Sequence, residues 1–317
     1  MKKDIKFSIT VPAYKARFLK DCIESVLAQS YQDFELIIVN DGSPENLECI
    51  VQQFHDERIR YYINKIGFGG YNLVFNWNKC LEYCTGQYVI CMGDDDRLLP
   101  NCLENYAALI ERYPGKGVYH TRAEVINENN EIIRMCEARA DIESVYSFIW
   151  SELSLYNHSF IGDYLFEVET LRDNGGFFFL PYAWHSDRLS VCIAAIKSGM
   201  ATTNIPGFQY RSFSQTISHS TNNTVDKMTA TQRCKDWYED FLQEKPKDEM
   251  DVVFRDLSLK LLPSYVETVK YLDMQQELLN SSSRVFFWYR NAQHFQISKK
   301  NVVMAFLRNI KDKLLQR

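Results

Sequence analysis

The sequence predicts an α/β fold, a mainly parallel sheet flanked by helices, followed by a helical C-terminal extension. Short β-rich apolar runs alternate with helical patterns over residues 7–92. One of those runs, Phe34-Glu35-Leu36-Ile37-Ile38-Val39, is nearly apolar throughout, as a strand buried on both faces must be. Beyond residue 220 the pattern is helical and holds no glycine.

Phe7-Ser8-Ile9-Thr10-Val11 reads as the first strand, closed by Pro12. Leu19, Cys22, Ile23, Val26 and Leu27 recur at helical spacing, which predicts an amphipathic helix over 15–30. The Phe34–Val39 strand ends in Asn40-Asp41-Gly42-Ser43-Pro44, a strong turn signal. A helix over 45–55, a strand at Ile59–Ile63 and a helix over 71–84 follow. Gly86 precedes the next strand, Tyr88–Met92. Residues 117–180 are less regular, with strands expected near 118–121, 123–127 and 163–168 and a turn at Asn174-Gly175-Gly176. Leu189, Cys192, Ile193 and Ile196 predict a helix over 187–198, with Ser186 as its N-cap and Gly199 as its stop. Thr221-Asn222-Asn223-Thr224 reads as a linker, dividing a domain over 1–220 from a helical region over 221–317. Pro246 and Pro263 interrupt that helical pattern. The last segment, 298–317, aligns Val303, Phe306, Leu307, Ile310 and Leu314 on one face. Lys299, Lys300, Arg308, Lys311, Lys313 and Arg317 oppose one acid there, Asp312. Such a basic amphipathic helix docks on its own domain, on a second copy, or on an anionic membrane surface.

A chain of 317 residues, 46% hydrophobic and 24% charged, has ample core for one large or two smaller domains. Its formal net charge of −5 argues against a dedicated nucleic-acid binder. The nine cysteines form no Cys-x-x-Cys pair, and most lie in apolar surroundings, which suits a reduced, cytoplasmic compartment. No secretory leader pattern precedes the first strand, and no apolar run approaches the roughly 20 residues of a membrane span. A soluble protein, or one peripheral on the inner face of the cytoplasmic membrane, is expected.

In sheets of this kind ligands sit beyond the carboxyl ends of the strands. The turns that matter are therefore Pro12–Tyr14, Asn40–Ser43 and Gly93–Asp96. The last carries three consecutive carboxylates, Asp94, Asp95 and Asp96, directly after an apolar strand. Like charges so packed raise one another's pKa. A divalent cation relieves that, and Mg²⁺ or Mn²⁺ on carboxylates bridges to substrate phosphates. The alternative is a solvated acidic turn ahead of a helix begun by Pro100. Gly67-Phe68-Gly69-Gly70-Tyr71-Asn72 lacks the third glycine of a dinucleotide fingerprint and reads as a loop near the nucleotide.

Together these turns resemble the family 2 inverting glycosyltransferases of the GT-A fold, a Rossmann-like architecture. The resemblance runs over roughly residues 5–215. Four blocks in order carry it: Ser8–Tyr14, Ser25–Ser43, Thr85–Val89, and the acidic motif leading to Pro100. It implies a sugar-nucleotide donor, a UDP-sugar foremost, bound through Mn²⁺ or Mg²⁺ at the acidic motif. Asp95 and Asp96 match the family's adjacent aspartates; the family's usual earlier aspartate falls at Gly93, with Asp94 beside it. A related variant of the motif places the ribose-contacting carboxylate at Asp94 and the metal ligand at Asp95; the resemblance thus makes Asp95 the foremost metal ligand, with Asp94 and Asp96 in support. Asp41 matches the carboxylate that accepts from the nucleobase edge, and Pro12, Ala13 and Tyr14 match the loop around base and ribose. Asn78 stands where many members line the nucleotide pocket. Asp187, in Trp184-His185-Ser186-Asp187-Arg188, matches the catalytic base, with Ser186 in place of the usual Glu. Arg211, after Tyr210, matches a diphosphate contact, and His219 an alternative metal or phosphate contact.

The resemblance implies transfer of a sugar to a hydroxyl of a glycan or lipid-linked glycan acceptor, in surface polysaccharide assembly. Three rivals stand beside it: a nucleotide-sugar-binding partner subunit without turnover, a metal-dependent nucleotidyl- or phosphotransferase, and an interaction module using the basic C-terminal helix.

Overall fold

The computed structural model describes residues 5–213 and 221–315. They fall into two compact units. One comprises the chain up to Glu152 with Tyr156–Phe213; the other comprises Leu153–Leu155 and the residues from 221 onward.

The first unit opens with the expected alternation: β1 (Phe7–Ala13), α1 (Leu19–Leu27), β2 (Phe34–Asn40), α2 (Leu47–Val51), β3 (Ile59–Ile63), α3 (Leu73–Tyr83) and β4 (Tyr88–Cys91). It continues through β5 (Arg97–Leu98), α4 (Cys102–Arg112), β6 (Val118–Ile126), β7 (Ile132–Met135), β8 (Ile142–Glu143), α5 (Val145–Leu153), β9 (Tyr164–Glu167), α6 (Val168–Asp173), α7 (Ser186–Ala195) and β10 (Met200–Arg211). One sheet takes the order β3-β2-β1-β4-β9-β6-β10-β5, with β7 on β6 and β8 on β10. β3, β2, β1, β4, β6 and β10 run one way, and the shorter β5, β7, β8 and β9 run against them. The sheet is thus mostly parallel and flanked by helices.

Every residue of β1 and β2 is buried, which is why both read as near-continuous apolar runs. Glu35 is the exception to that chemistry and is satisfied in place. It accepts from the Ser8 hydroxyl at 2.7 Å, from Thr85 N at 2.6 Å and from Arg60 at 2.7 Å. These bonds to its charged form hold the Glu35 carboxyl below its ordinary range despite burial.

Several boundaries differ from the sequence expectation. α1 begins at Leu19 rather than at 15, because the backbone of Tyr14 and Lys15 is engaged by Asp94. The two strands expected at 118–121 and 123–127 are one strand, β6. The break in its apolar pattern is Arg122, whose Nε reaches the Cys136 carbonyl at 2.6 Å. Ser186 is not the N-cap of α7: His185 holds that position at φ 69°. The Ser186 hydroxyl instead accepts from Leu180 N at 3.0 Å, fastening the loop before the helix.

The second unit is helical: α8 (Thr224–Phe241), α9 (Glu249–Asn280), α10 (Val285–Asn291) and α11 (Lys299–Leu315). Asp248 caps α9, accepting from Met250 N and Asp251 N at 2.9 and 3.1 Å. Pro263 does not interrupt this region; α9 runs through it for 32 residues. Pro263 and Leu259, whose carbonyl loses its partner, are both exposed, so water can satisfy that carbonyl. Met228, Met274, Leu278, Trp288, Phe295 and Val302 form the core. The face of α11 turned to it is Val302, Ala305 and Asn309, not the Val303–Leu307–Ile310 stripe. No helix among the described residues is long and apolar enough to cross a membrane.

Candidate active site

β1 lies between β2 and β4, so the strand order reverses at its edge with β4. Crevices at such switch points receive ligands. The acidic turn closes this one. Asp94 Oδ2 accepts from Tyr14 N and Lys15 N, both at 2.6 Å, tying the end of β4 to the end of β1. Asp96 Oδ1 accepts from Arg211 N at 2.9 Å, tying the same turn to β10. Asp95 lies 3.7 Å from the Lys15 ammonium through Oδ2.

Burial is the main influence on all three carboxyls and pushes each pKa up, Asp94 to about 7 and Asp96 well above its ordinary value. Repulsion from Asp95 adds to the rise at Asp94 and Asp96, and the backbone N–H bonds oppose it. Gly93 leaves space beside them. A Cβ there would stand 2.8 Å from Asp95 Oδ1 and 2.9 Å from Asp96 Oδ2. Two carboxylate oxygens therefore converge next to a residue with no side chain. Among the described residues no group of three or more His, Cys, Asp or Glu is arranged to hold a metal by itself. The donor set still suits one or two carboxylates sharing Mg²⁺ or Mn²⁺ with a substrate diphosphate, the usual mode for Mg²⁺. Asp95 and Asp96 are the residues that would hold the ion.

Arg211 does not face the crevice. It is 1% exposed and serves as a brace. Its Nε donates to Asp95 O at 2.7 Å, Nη1 to Asn127 O at 3.1 Å and Asn130 Oδ1 at 2.6 Å, and Nη2 to Asp21 Oδ2 at 2.6 Å. Its guanidinium stacks 4.2 Å over Phe18. The side chain that the resemblance matches to a diphosphate contact is engaged here in holding the acidic turn. Asp21, on α1, completes that brace, and the sequence reading missed it because it looked like an ordinary helix-surface acid. The cation that does stand at the turn is Lys15, about a third exposed.

Asp41 is 4% exposed. Oδ1 accepts from Phe68 N at 2.9 Å and from Asn64 at 3.0 Å, and Oδ2 accepts from Gly69 N at 3.0 Å. It thereby folds the glycine-rich loop over the end of β2. A Cβ on Gly67 would fall 2.1 Å from Asp41 O, so the loop requires glycine there. Asn76, wholly buried on α3, accepts from the same Asn64 amide at 3.0 Å and so fixes the partner of Asp41. Nothing in the sequence distinguished it from its neighbour Asn78. The Asn78 amide is engaged elsewhere, accepting from Phe177 N at 2.7 Å and donating to Phe177 O at 3.1 Å. Pro12 and Ala13 are buried within β1, and only Tyr14, 47% exposed, emerges from it.

The glycine-rich loop leads toward the third element. Tyr71 meets the Tyr182 ring edge-on at 5.6 Å, and Phe75 stacks on Phe179 at 4.8 Å. Tyr182, Ala183 and His185 all adopt positive φ, at 56°, 56° and 69°. Non-glycine residues held there store strain, which concentrates at functional sites. The segment delivers Asp187 in the first turn of α7. Burial raises the Asp187 pKa, and Arg188 opposes the rise. Arg188 is fixed in turn by buried Glu152 at 2.8 Å. Ser218 and His219 lie outside the described residues.

The fold is that of the GT-A class. The chain belongs to glycosyl transferase family 2, whose model matches residues 8–173. A Campylobacter jejuni GalNAc(5)-diNAcBac-PP-undecaprenol beta-1,3-glucosyltransferase is 28% identical over 185 residues, half of this chain and 57% of the relative. An Escherichia coli UDP-Glc:alpha-D-GlcNAc-diphosphoundecaprenol beta-1,3-glucosyltransferase, WfgD, is 30% identical over 128 residues, 40% of this chain and 49% of the relative. The chain thus spans about half the length of these curated relatives. Among solved structures, a Staphylococcus aureus TarS fragment superposes with a TM-score of 0.62 at 13% identity, covering 99% of this chain and 92% of the fragment. TarS with UDP-GlcNAc superposes at 0.57 and 15% identity, covering 86% and 87%. A Pyrobaculum calidifontis mannosyltransferase with GDP-Man and Mn²⁺ superposes at 0.53 and 13% identity, covering 98% and 88%.

Proposed function

We propose that this chain transfers a sugar from a nucleotide-diphosphate donor, a UDP-sugar, to a hydroxyl of a lipid-linked glycan, with inversion at the anomeric carbon. The catalytic domain is 1–220, and 221–317 is a separate helical region. The observation that carries the reading is the turn Gly93–Asp96 at the switch point, where buried Asp94 and Asp96 anchor the turn to β1 and β10 and Asp95 stands between them. The named substrates of the two glucosyltransferase relatives support the donor and acceptor classes.

Tyr14 and the loop folded by Asp41 bound the space for base and ribose. Lys15 neutralises part of the diphosphate charge beside Asp95. Asp95 and Asp96 would hold a divalent cation, which would supply further charge neutralisation for the departing nucleotide diphosphate. Asp187 takes the proton of the acceptor hydroxyl as that oxygen attacks the anomeric carbon. The sugar–phosphate C–O bond breaks on the opposite face, and the nucleotide diphosphate leaves with the electron pair. A single displacement of this kind inverts the centre. Burial makes Asp187 a stronger base than an exposed carboxylate. The dipole of α7 and the Arg188 charge oppose that rise and favour the ionised form.

The test is thermal stability with UDP, GDP, CMP and dTDP, each with and without Mn²⁺, on wild type and Asp95→Ala. A ligand at 100 times its Kd adds about 2.7 kcal/mol. Stabilisation by UDP that needs both Mn²⁺ and Asp95 is expected. Equal stabilisation of Asp95→Ala would remove the acidic turn from donor binding.

A further inference from the structure

The apolar residues that make α11 amphipathic in sequence are not the ones it buries. Its inner face packs along α9: Asn301 donates to Glu267 at 2.6 Å and Asn309 to Gln275 O at 3.3 Å, with Val302 and Ala305 fully buried between them. Val303, Met304, Leu307 and Ile310 point away, 41%, 50%, 58% and 39% exposed. The surface continues onto α10. Lys299 Nζ sits 5.0 Å over the Tyr289 ring, which is 44% exposed, and Phe286, one turn earlier on the same face, is 72% exposed.

The charge along α10 and α11 is mainly positive, Asp312 being the one acid in the two helices. From Leu278 to Ile310 the chain holds no Asp or Glu, against Arg284, Arg290, Lys299, Lys300 and Arg308. Arg290, Lys299, Lys300 and Arg308 are all exposed. Large apolar side chains rimmed by exposed cations match the boundary between anionic headgroups and acyl chains. A second copy of the chain matches it poorly. A symmetric contact would bring these cations against their own counterparts. The stripe is also far narrower than the roughly 20–30 residues a side of a stable interface.

We propose that α10 and α11 form a docking surface for an anionic lipid bilayer. The helices lie in the interface, with Phe286, Leu307 and Ile310 immersed and Lys299, Lys300 and Arg308 at the phosphates. This rests on the second unit alone and stands whether or not the donor-site reading holds.

The experiment is flotation of the full chain with vesicles of phosphatidylcholine, or of phosphatidylcholine with roughly 30% phosphatidylglycerol. Binding to the anionic vesicles is expected to exceed binding to neutral ones by about tenfold or more, and to weaken with salt. Leu307→Glu with Val303→Glu should abolish flotation. Lys299→Ser with Lys300→Ser should erase the preference for anionic lipid. Both variants alter exposed positions, and an unchanged circular dichroism spectrum and melting midpoint confirm that each folds. Flotation with neither vesicle, or flotation unchanged in both variants, overturns the proposal. So does concentration-dependent self-association that Leu307→Glu removes while vesicles capture nothing; that result assigns the face to a second copy.

Discussion

Two cations flank the acidic turn, and the structure gives them opposite duties. Arg211 is buried and bonded to Asp21, Asn127, Asn130 and the Asp95 carbonyl, while Lys15 is partly exposed beside Asp95. Arg211→Ala should therefore destabilise the first unit by about 1.5–3 kcal/mol in denaturant melts, because the Asp95 and Asn127 carbonyls lose a charged donor while Asp21 keeps Arg97 as its partner. Lys15→Ala should leave the melt within about 1 kcal/mol of wild type and weaken nucleotide-diphosphate affinity instead. Similar melts for the two would refute this division. At Asp187 the readout is chemistry. Asp187→Asn should lower transfer by about 10²–10⁴-fold with donor binding retained. Because burial holds the Asp187 carboxyl above its ordinary range, the base is protonated, and the rate lost, as pH falls through that raised value. An acid limb near the ordinary carboxyl value of about 3.9, or undiminished turnover by the Asp187→Asn variant, would assign the proton to another group.

Elements with one dominant driving force were legible from sequence, and those set by tertiary partners were not. β1 and β2 were readable because a strand buried on both faces must be apolar. The turns at Asn40–Ser43 and Gly93–Asp96 were readable because few residue types build them. The bracing of the turn by Arg211 and Asp21 was not legible because a buried brace and an exposed contact use the same side chains. Ser186 looked like a cap by composition, yet Leu180 N claims its hydroxyl. The stripe on α11 was correctly periodic, but periodicity does not say which face finds a partner. The strained segment before α7 was invisible, since Tyr182 and Ala183 are not residues that choose positive φ, and one His alone does not signal it. Ala183→Gly should relieve part of that strain and raise stability by about 0.5–1 kcal/mol. If strain serves the placement of Asp187, the same substitution lowers the transfer rate. A melt that falls instead would show that Ala183 packing outweighs its backbone conformation.

Each unit has its own core, one around β1, β2, α1 and α4, the other around Trp288, Met274 and Val302. Separate cores predict two calorimetric transitions rather than one. They also predict that different chemistry moves each. In the second unit Asp273 is 7% exposed, and burial drives its pKa to about 7, with Lys227 opposing. The folded chain then keeps a proton that the unfolded chain has released. Stability from this group is present below the ordinary carboxyl range and is lost as pH rises toward about 7, a change on the order of a few kcal/mol. The second unit's transition should therefore fall in temperature between about pH 5 and pH 7.5, as the first unit's does through Asp94, and Asp273→Asn should flatten only the second unit's fall. UDP with Mn²⁺ should raise the other transition and leave the Asp273-linked one in place. A single transition that answers to both treatments would mean that the two cores unfold as one cooperative body.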